Sequence, residues 1–389
     1  MKNYEIIIVG AGPAGTSTAL QLAALDPNLP DRVLLLDKAV FPRTKLCAGG
    51  ITNSADKILE QLRLNVESHS IQVHSSKFVV PTGALTLKQE SHFRIVKREE
   101  FDYQLFQTAQ RRGITTREGE AIESINFNLD KVTIRTSKNE YSSKIIIGAD
   151  GANSVVRRLL GLSRASRIMR AIEIYAPLSQ VSLLNLNENS AIFDFTVTAH
   201  GIPGYCWIFP ANHTRRSMVS LGIIESSFHR SKSISLKHAF ENWLARIIPT
   251  GNHSKLQAHP ALQYEPRSAS SQYRALLVGD AAGIDPLFGE GITSALALGR
   301  LAAQCSYQAL HSNDFSFSDY EKRISSSPIG NMMRRRRAVA RRLYIENPLE
   351  LRRLKFSTLL DWVTPMSPRD VPATVLWESS SSYSPIEYK

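Results

Sequence analysis

The segment Gly10-Ala11-Gly12-Pro13-Ala14-Gly15 constrains the fold more than any other stretch, because of what flanks it. An apolar run of β-formers, Ile6 to Val9, leads into it, and an Ala/Leu-rich stretch from about Ala14 to Leu25 follows with helical composition. A second apolar run, Val33 to Leu36, ends in Asp37. Strand, glycine turn, helix, strand and acid in this order make a βαβ unit with a dinucleotide fingerprint. Gly10 permits the tight turn, Gly12 lets backbone approach a pyrophosphate, and Gly15 lets helix and strand pack closely. The helix N-terminus offers unpaired N–H groups to the phosphates. Asp37 stands where a carboxylate accepts hydrogen bonds from both ribose hydroxyls, which favours an unphosphorylated ribose.

Two further junctions repeat the strand-to-loop pattern. Gly148-Ala149-Asp150-Gly151 follows the strand-like run Lys144 to Ile147, and Gly279-Asp280 follows the short apolar run Ala275 to Val278. Shortly after comes Pro286-Leu287-Phe288-Gly289-Glu290-Gly291, opening a helix from about Gly291 to Ala309 rich in small residues and expected to pack against something flat. Together the three junctions read as one flavin site. Asp280 is suited to accept hydrogen bonds from the ribityl hydroxyls of FAD. Gly289, Gly291 and Ile292 lie where a helix start would turn N–H groups toward the flavin's pyrimidine carbonyl and stabilise the charge that reduction places there.

A chain of 389 residues suits two interleaved domains rather than one small core. No apolar run approaches the ~20 residues of a membrane span, and the first strand begins too early to leave room for a signal peptide. Cys47, Cys206 and Cys305 are odd in number and widely spaced, which argues against a disulfide framework or a zinc site and for a reducing, cytoplasmic setting. The ten histidines show no metal-binding spacing, so no metal is expected, and His200, His213 and His259 read as structural or exposed. Net charge is +12, unevenly spread: nine basic residues against two acidic ones between Arg334 and Lys355 give that segment alone +7. Anionic lipid, an acidic protein donor and a plain solvated helix face all fit such a stripe. Nucleic acid is not expected, because no nucleic-acid-binding motif accompanies the charge.

Between the junctions, Lys38 to Ile51 is long enough to be a functional loop. A helix from about Asn53 to Leu62 leads to strand-like segments near Ile71 to Val80 and Phe93 to Val96, and Arg98 to Arg111 reads as a helix with Phe101, Leu105 and Ala109 on one face. From about Arg167 to Ile223 the pattern is strand-like, best in Ala171 to Tyr175, Ala191 to Val197 and Ser217 to Ile223. The expected class is α/β: a Rossmann-type FAD-binding domain (1–70, 93–165 and 270–312) interleaved with an α+β substrate domain (71–92 and 166–269) carrying a mostly antiparallel sheet. A basic helical segment (313–365) and a flexible tail (366–389) would follow.

With the pieces in this order the chain resembles the geranylgeranyl reductase family, within the flavoproteins built like para-hydroxybenzoate hydroxylase. The resemblance covers roughly residues 4 to 310. It rests on the fingerprint, Phe41-Pro42-Arg43-x-Lys45-x-Cys47-Ala48-Gly49-Gly50, Arg98 with Phe101-Asp102 and Leu105, Asp150-Gly151, Tyr205-x-Trp207-x-Phe209-Pro210, and Gly279-Asp280 with Pro286-x-x-Gly289-x-Gly291-Ile292. Cys47-Ala48 stands where the family often has Cys-Gly. The resemblance implies FAD held by Gly10, Gly12, Pro13, Ala14, Gly15, Asp37, Lys38, Arg43, Ala48, Gly49, Arg98, Ala121, Asp280, Gly289, Gly291 and Ile292. It also implies that Cys47 lies at the flavin as the catalytic residue, and that Tyr205, Trp207 and Phe209 line a groove for an isoprenoid chain. A surface arginine, a small buried hydrophobe and ordinary core aromatics are the plain alternatives for Arg98, Cys47 and the three rings.

The implied activity is hydride transfer from reduced FAD to C=C bonds of a polyprenyl group, with NADPH or a reduced electron-transfer protein as donor and an isoprenoid or prenylated lipid as substrate. Peripheral membrane contact through Arg334 to Lys355 would accompany it. Rival readings are a flavin monooxygenase of the hydroxylase or halogenase type, a lycopene-cyclase-like isomerisation without net redox, and a flavin-binding regulator whose working part is the segment beyond Arg334.

Overall fold

The computed structural model describes residues 1–345 except 65, 67, 82, 163–167, 183–185, 212–216, 229–234 and 250–252, together with the strand Thr374–Ser379. The readings made above for His213, for Glu346 to Lys355 and for most of the tail lie outside the described residues. The tail expectation changes at one place: Thr374–Ser379 pairs antiparallel with Gly83–Val96, at the edge of the second sheet.

The fingerprint strand Lys2–Val9 lies inside a parallel array. It pairs in parallel with Val33–Leu36 on one side and Glu140–Gly148 on the other, and Ala275–Leu277 continues beyond Glu140–Gly148, also parallel. Ile6, Ile7 and Ile8 are each fully buried, as expected of a strand covered on both faces, which reads as a continuous apolar run rather than an alternating one. The register aligns Val9 with Leu36 and Gly148, and Gly148 with Leu277, so the chain leaves all four strands at one edge of the sheet. That carboxyl edge is where open α/β sheets bind ligands.

The fingerprint helix spans Pro13–Leu25, and the small-residue helix spans Ile292–Ser312. The latter packs on another helix rather than on a flat surface: a Cβ on Gly299 would stand 2.7 Å from the carbonyl oxygen of Ala14, and Ser17 Oγ donates to the Leu296 carbonyl at 2.9 Å. Small side chains set this spacing.

The second sheet runs in the order Gln257–Leu262, Ile168–Pro177, Met218–Glu225, Gly204–Ala211, Ser190–Asp194, Ser70–Val80, Gly83–Val96 and Thr374–Ser379, with Gly50–Thr52 also paired to Gly83–Val96. Its pairs are antiparallel except Ser190–Asp194 with Ser70–Val80. Gly83–Val96 carries this sheet to Val96, past the residue-93 boundary read from the sequence. The expected strand through Val197 stops at Asp194, whose carboxylate accepts from the Thr196 backbone N–H at 2.9 Å and caps the 3-10 turn Phe195–His200. An amphipathic helix, Leu236–Ile247, covers the outer face with Phe240 and Trp243, and the Trp243 indole donates to Asp194 at 2.9 Å.

Gly10 adopts φ +105°, and a Cβ there would lie 2.4 Å from the Ala149 carbonyl oxygen; one on Gly15 would lie 1.8 Å from that of Gly10. Two of the ligand-edge turns thus interlock through backbone. Gly15→Ala should destabilise the protein by about 3 kcal/mol or more by overpacking, read as a lower midpoint in denaturant unfolding; an unchanged midpoint would show that the turn relaxes freely.

Candidate active site

One cavity of about 1450 Å³ runs from the fingerprint loop, past the Cys47 loop, to the inner face of the second sheet. Among the residues singled out above as site candidates, only Gly15 does not line it. Gly15 acts beneath the surface, by close packing.

At one end the Asp37 carboxylate accepts from Ala11 N–H at 2.7 Å and from Ala39 N–H at 2.8 Å, using one lone pair of each oxygen and fixing the loop it faces. Lys38 and Ala121 stand on the same wall. The guanidinium of Arg43 lies over the open side of Gly12, 3.4 Å from where a Cβ would be, and pairs with Asp102 at 3.1 Å. This end presents backbone N–H groups and a cation to anything bound there. The Asp150 carboxylate is spent on its own chain: it accepts from Val155 and Val156 N–H at 2.7 and 3.0 Å and starts the short helix Val155–Leu159. Burial raises its pKa despite these donors.

Midway, Arg98 is buried and makes a two-pronged contact with Asp102, 2.9 and 2.8 Å, so it is not a surface arginine. Burial opposes its charge, but Asp102 and Cys47 outweigh that and hold its pKa above the usual range. The cation set against Cys47 is therefore Arg98, from a distant helix. Cys47 is half-buried, and its Sγ accepts from Gly49 N–H at 3.4 Å. Ala48 and Gly49 continue the wall. The Asp280 carboxylate has no hydrogen-bond donor among the described residues and stands 3.4 Å from the Cβ direction of Gly291, where Gly289, Gly291 and Ile292 turn into the helix. An open carboxylate, two glycine-lined approaches and a helix start meet in one elongated space, which fits a flavin dinucleotide.

At the far end, Tyr205, Trp207 and Phe209 project from an inner strand, not from a sheet edge, into a chamber shared with Phe78, Phe193 and Phe288. Phe78 and Phe193 stack face to face with centroids 4.7 Å apart, and the other contacts of Phe193 are tilted or edge-on, 4.9 Å to Phe209 and 5.7 Å to both Tyr205 and Phe288. Trp207 is pinned. Its indole N–H donates to Ser220 Oγ at 2.9 Å, Ser220 donates to the buried Glu173 at 2.7 Å, and a Cβ on Gly222 would fall 2.1 Å from the indole ring.

Sequence reasoning missed two contributors. His259 lines the cavity on the strand beside Ala171, with a buried Nδ1 that has no hydrogen-bond partner among the described residues. Burial, then Lys45 and Arg98, lower its pKa to about 4. A lone histidine without paired spacing carries no sequence signal for this. The second contributor is the helix Pro328–Ile345. Four consecutive arginines on a helix point about 100° apart, so they do not form one stripe. Arg334 donates to the Ser325 carbonyl, Arg335 lines the cavity, and Arg337 pairs with Glu265 at 2.7 Å. Arg336 turns inward to Asp285 at 2.8 Å and Glu290 at 2.5 Å. Burial would raise Glu290, but Arg336 and the hydroxyls of Thr293 and Thr52 bring it below the usual range; Asp285, buried deeper, stays raised. Tyr344 and Tyr205 donate to the carbonyls of Leu287 and Phe288 at 3.1 and 2.7 Å. The described part of the basic segment, Arg334 to Ile345, is thus tied to the cavity and to the turn Pro286 to Gly291.

The geometry defines a two-sheet flavoprotein, and the comparisons agree. Residues 3–297 match the FAD binding domain family, and the chain belongs to that family. It is 29% identical over 348 residues to a digeranylgeranylglycerophospholipid reductase of Thermoplasma volcanium, covering 83% of this chain and 84% of that one. In fold it is similar to a geranylgeranyl bacteriochlorophyll reductase-like protein of Thermoplasma acidophilum (TM-score 0.79, 22% identity, 95% and 98% of the chains). It is also similar to the halogenase PltM in complex with phloroglucinol and FAD (TM-score 0.67, 19% identity, 87% and 76%). The protein is an FAD-dependent oxidoreductase related to the geranylgeranyl reductases.

An unfolded histidine titrates near 6.5, so between about pH 6.5 and 4 the unfolded chain takes up a proton that folded His259 refuses. Stability should fall as pH falls through that window, and His259→Gln should flatten the slope in denaturant midpoints measured against pH. An unaltered slope would place the titration elsewhere. Ser220→Ala should cost about 1–3 kcal/mol by leaving the Trp207 indole without its acceptor and removing one donor from Glu173, and should red-shift and broaden the protein's tryptophan emission; an unchanged spectrum would show that Trp207 is held by packing alone.

Proposed function

We propose that the protein reduces carbon–carbon double bonds in a polyprenyl group, with NADPH or a reduced electron-transfer protein supplying the electrons. The observation that carries the reading is the placement of Cys47 in one continuous cavity with both the dinucleotide loop and the aromatic chamber. Reduced FAD, when bound, supplies hydride to one alkene carbon. Everything else falls to the chain. Tyr205, Trp207 and Phe209 hold the flat, flexible isoprene units by apolar area and exclude water from an otherwise poor hydride acceptor. Cys47 gives its thiol proton to the second alkene carbon, and Arg98 stabilises the sulfur as the proton leaves. Arg43 and the Gly12 turn hold the pyrophosphate, Asp37 the adenosine ribose, Asp280 the ribityl chain, and the turn from Gly289 to Ile292 the pyrimidine edge. The relatives named for digeranylgeranylglycerophospholipid support a prenylated lipid as substrate. Exposed Arg334 and Arg341 suit peripheral contact with an anionic membrane surface, where such a lipid would be met.

The halogenase fold likeness favours one competing reading, an oxygen-dependent reaction. Anaerobic turnover of a geranylgeranyl substrate with dithionite separates the two. Saturated product without oxygen is expected, and a strict oxygen requirement would overturn the reductase reading. Cys47→Ala should lower kcat by about 10²–10⁴-fold, the range of general-acid contributions, with flavin content unchanged. Wild-type turnover in that variant would assign the proton to another group.

A further inference from the structure

The reading above leaves the substrate's headgroup open, since a polyprenyl chain is carried by neutral and anionic molecules alike. The helix Pro328–Ile345 bears on that choice. Its buried stripe is Ile329, Met333, Ala340, Leu343 and Tyr344, which pack into the protein. The neighbouring stripe, Met332, Arg335, Val339 and Arg342, lines the cavity. Met332 and Val339 are half-buried, whereas Arg335 and Arg342 are exposed, so these two guanidiniums mark a rim where the cavity meets solvent. They are seven residues apart, two turns of helix and about 10 Å along the axis. Neither has a carboxylate partner among the described residues, although Arg336 and Arg337 beside them are both paired. Two guanidiniums with no carboxylate partner among the described residues thus stand at the mouth of a space whose far chamber is aromatic and aliphatic, and guanidinium is the side chain best matched to phosphate oxygens.

Resting on the prenyl-lipid reading, we infer that Arg335 and Arg342 form a headgroup subsite that selects substrates ending in a phosphate or diphosphate ester over neutral prenyl alcohols and quinones. The chain enters the aromatic chamber and the phosphate stays at the rim, within reach of both arginines. A neutral headgroup would leave the rim hydrated and gain only the apolar contacts.

Equilibrium binding to the flavin-loaded, oxidised protein, followed by the change in flavin absorbance or tryptophan emission, tests this with three probes: geranylgeranyl diphosphate, geranylgeraniol and inorganic pyrophosphate. For the wild type, the diphosphate is expected to bind at least tenfold more tightly than the alcohol, with an affinity that falls as salt rises. Arg335→Gln and Arg342→Gln should each weaken diphosphate binding by at least about tenfold, the size of one charged hydrogen bond. Alcohol binding should change less than twofold and flavin content not at all. Three results would overturn the subsite: equal wild-type affinities for diphosphate and alcohol, equal losses for both in the variants, or pyrophosphate binding as tightly as the prenyl diphosphate, which would make the rim a free-phosphate site. Failure of both prenyl probes to bind the wild type would instead remove the prenyl-lipid reading, and this inference with it.

Discussion

A single guanidinium holds together three parts of the chain that the sequence keeps far apart. Arg336 sits between Asp285 and Glu290, and Glu290 also accepts from Thr52 at 3.0 Å, where the Cys47 loop ends in the helix Asn53–Gln61. The same buried contact fixes the Pro286-to-Gly291 turn, the exit of the thiol loop and the arginine helix against one another. Two carboxylates this deep cost several kcal/mol of desolvation each, and only a well-placed cation with additional donors offsets that. Removing Arg336 would leave them uncompensated, and the turn facing the flavin space would lose its footing. The site is therefore a closed ring of elements, not a groove in the nucleotide sheet to which a tail is appended.

Much of this was legible in the sequence, for physical reasons. A parallel strand covered on both faces must be apolar throughout, so Ile6 to Val9 and Val33 to Leu36 announced themselves, and backbone approaches as close as those at Gly10 and Gly15 admit no other residue. The helix Arg98–Arg111 began and ended where its pattern indicated. Nearly every residue proposed for the site lines the one cavity, because the motifs occur at strand ends and the parallel register gathers strand ends together.

What the sequence hid was long-range. The contact of Arg98 with Asp102 is local, but its effect on Cys47 depends on how a helix is laid against a loop fifty residues earlier. His259 carries no motif, and only the pairing of its strand with Ile168–Pro177 turns it toward the cavity. The basic run after Arg334 read as one charged stripe because charge counts carry no direction; helix geometry splits it into a backbone contact, a rim, a buried clamp and an ion pair. The Ser220 and Glu173 supports of Trp207 come from strands that the sequence separates by 47 residues, with nothing to announce the partnership.

The central claim is that these widely spaced turns enclose one flavin dinucleotide. Denaturing the purified protein and identifying what it releases by mass spectrometry tests that claim most directly, with FAD added back to any material that emerges empty. One FAD per chain is expected, carried through purification or taken up on addition. Folded protein that releases no flavin and binds none when FAD is supplied would contradict it.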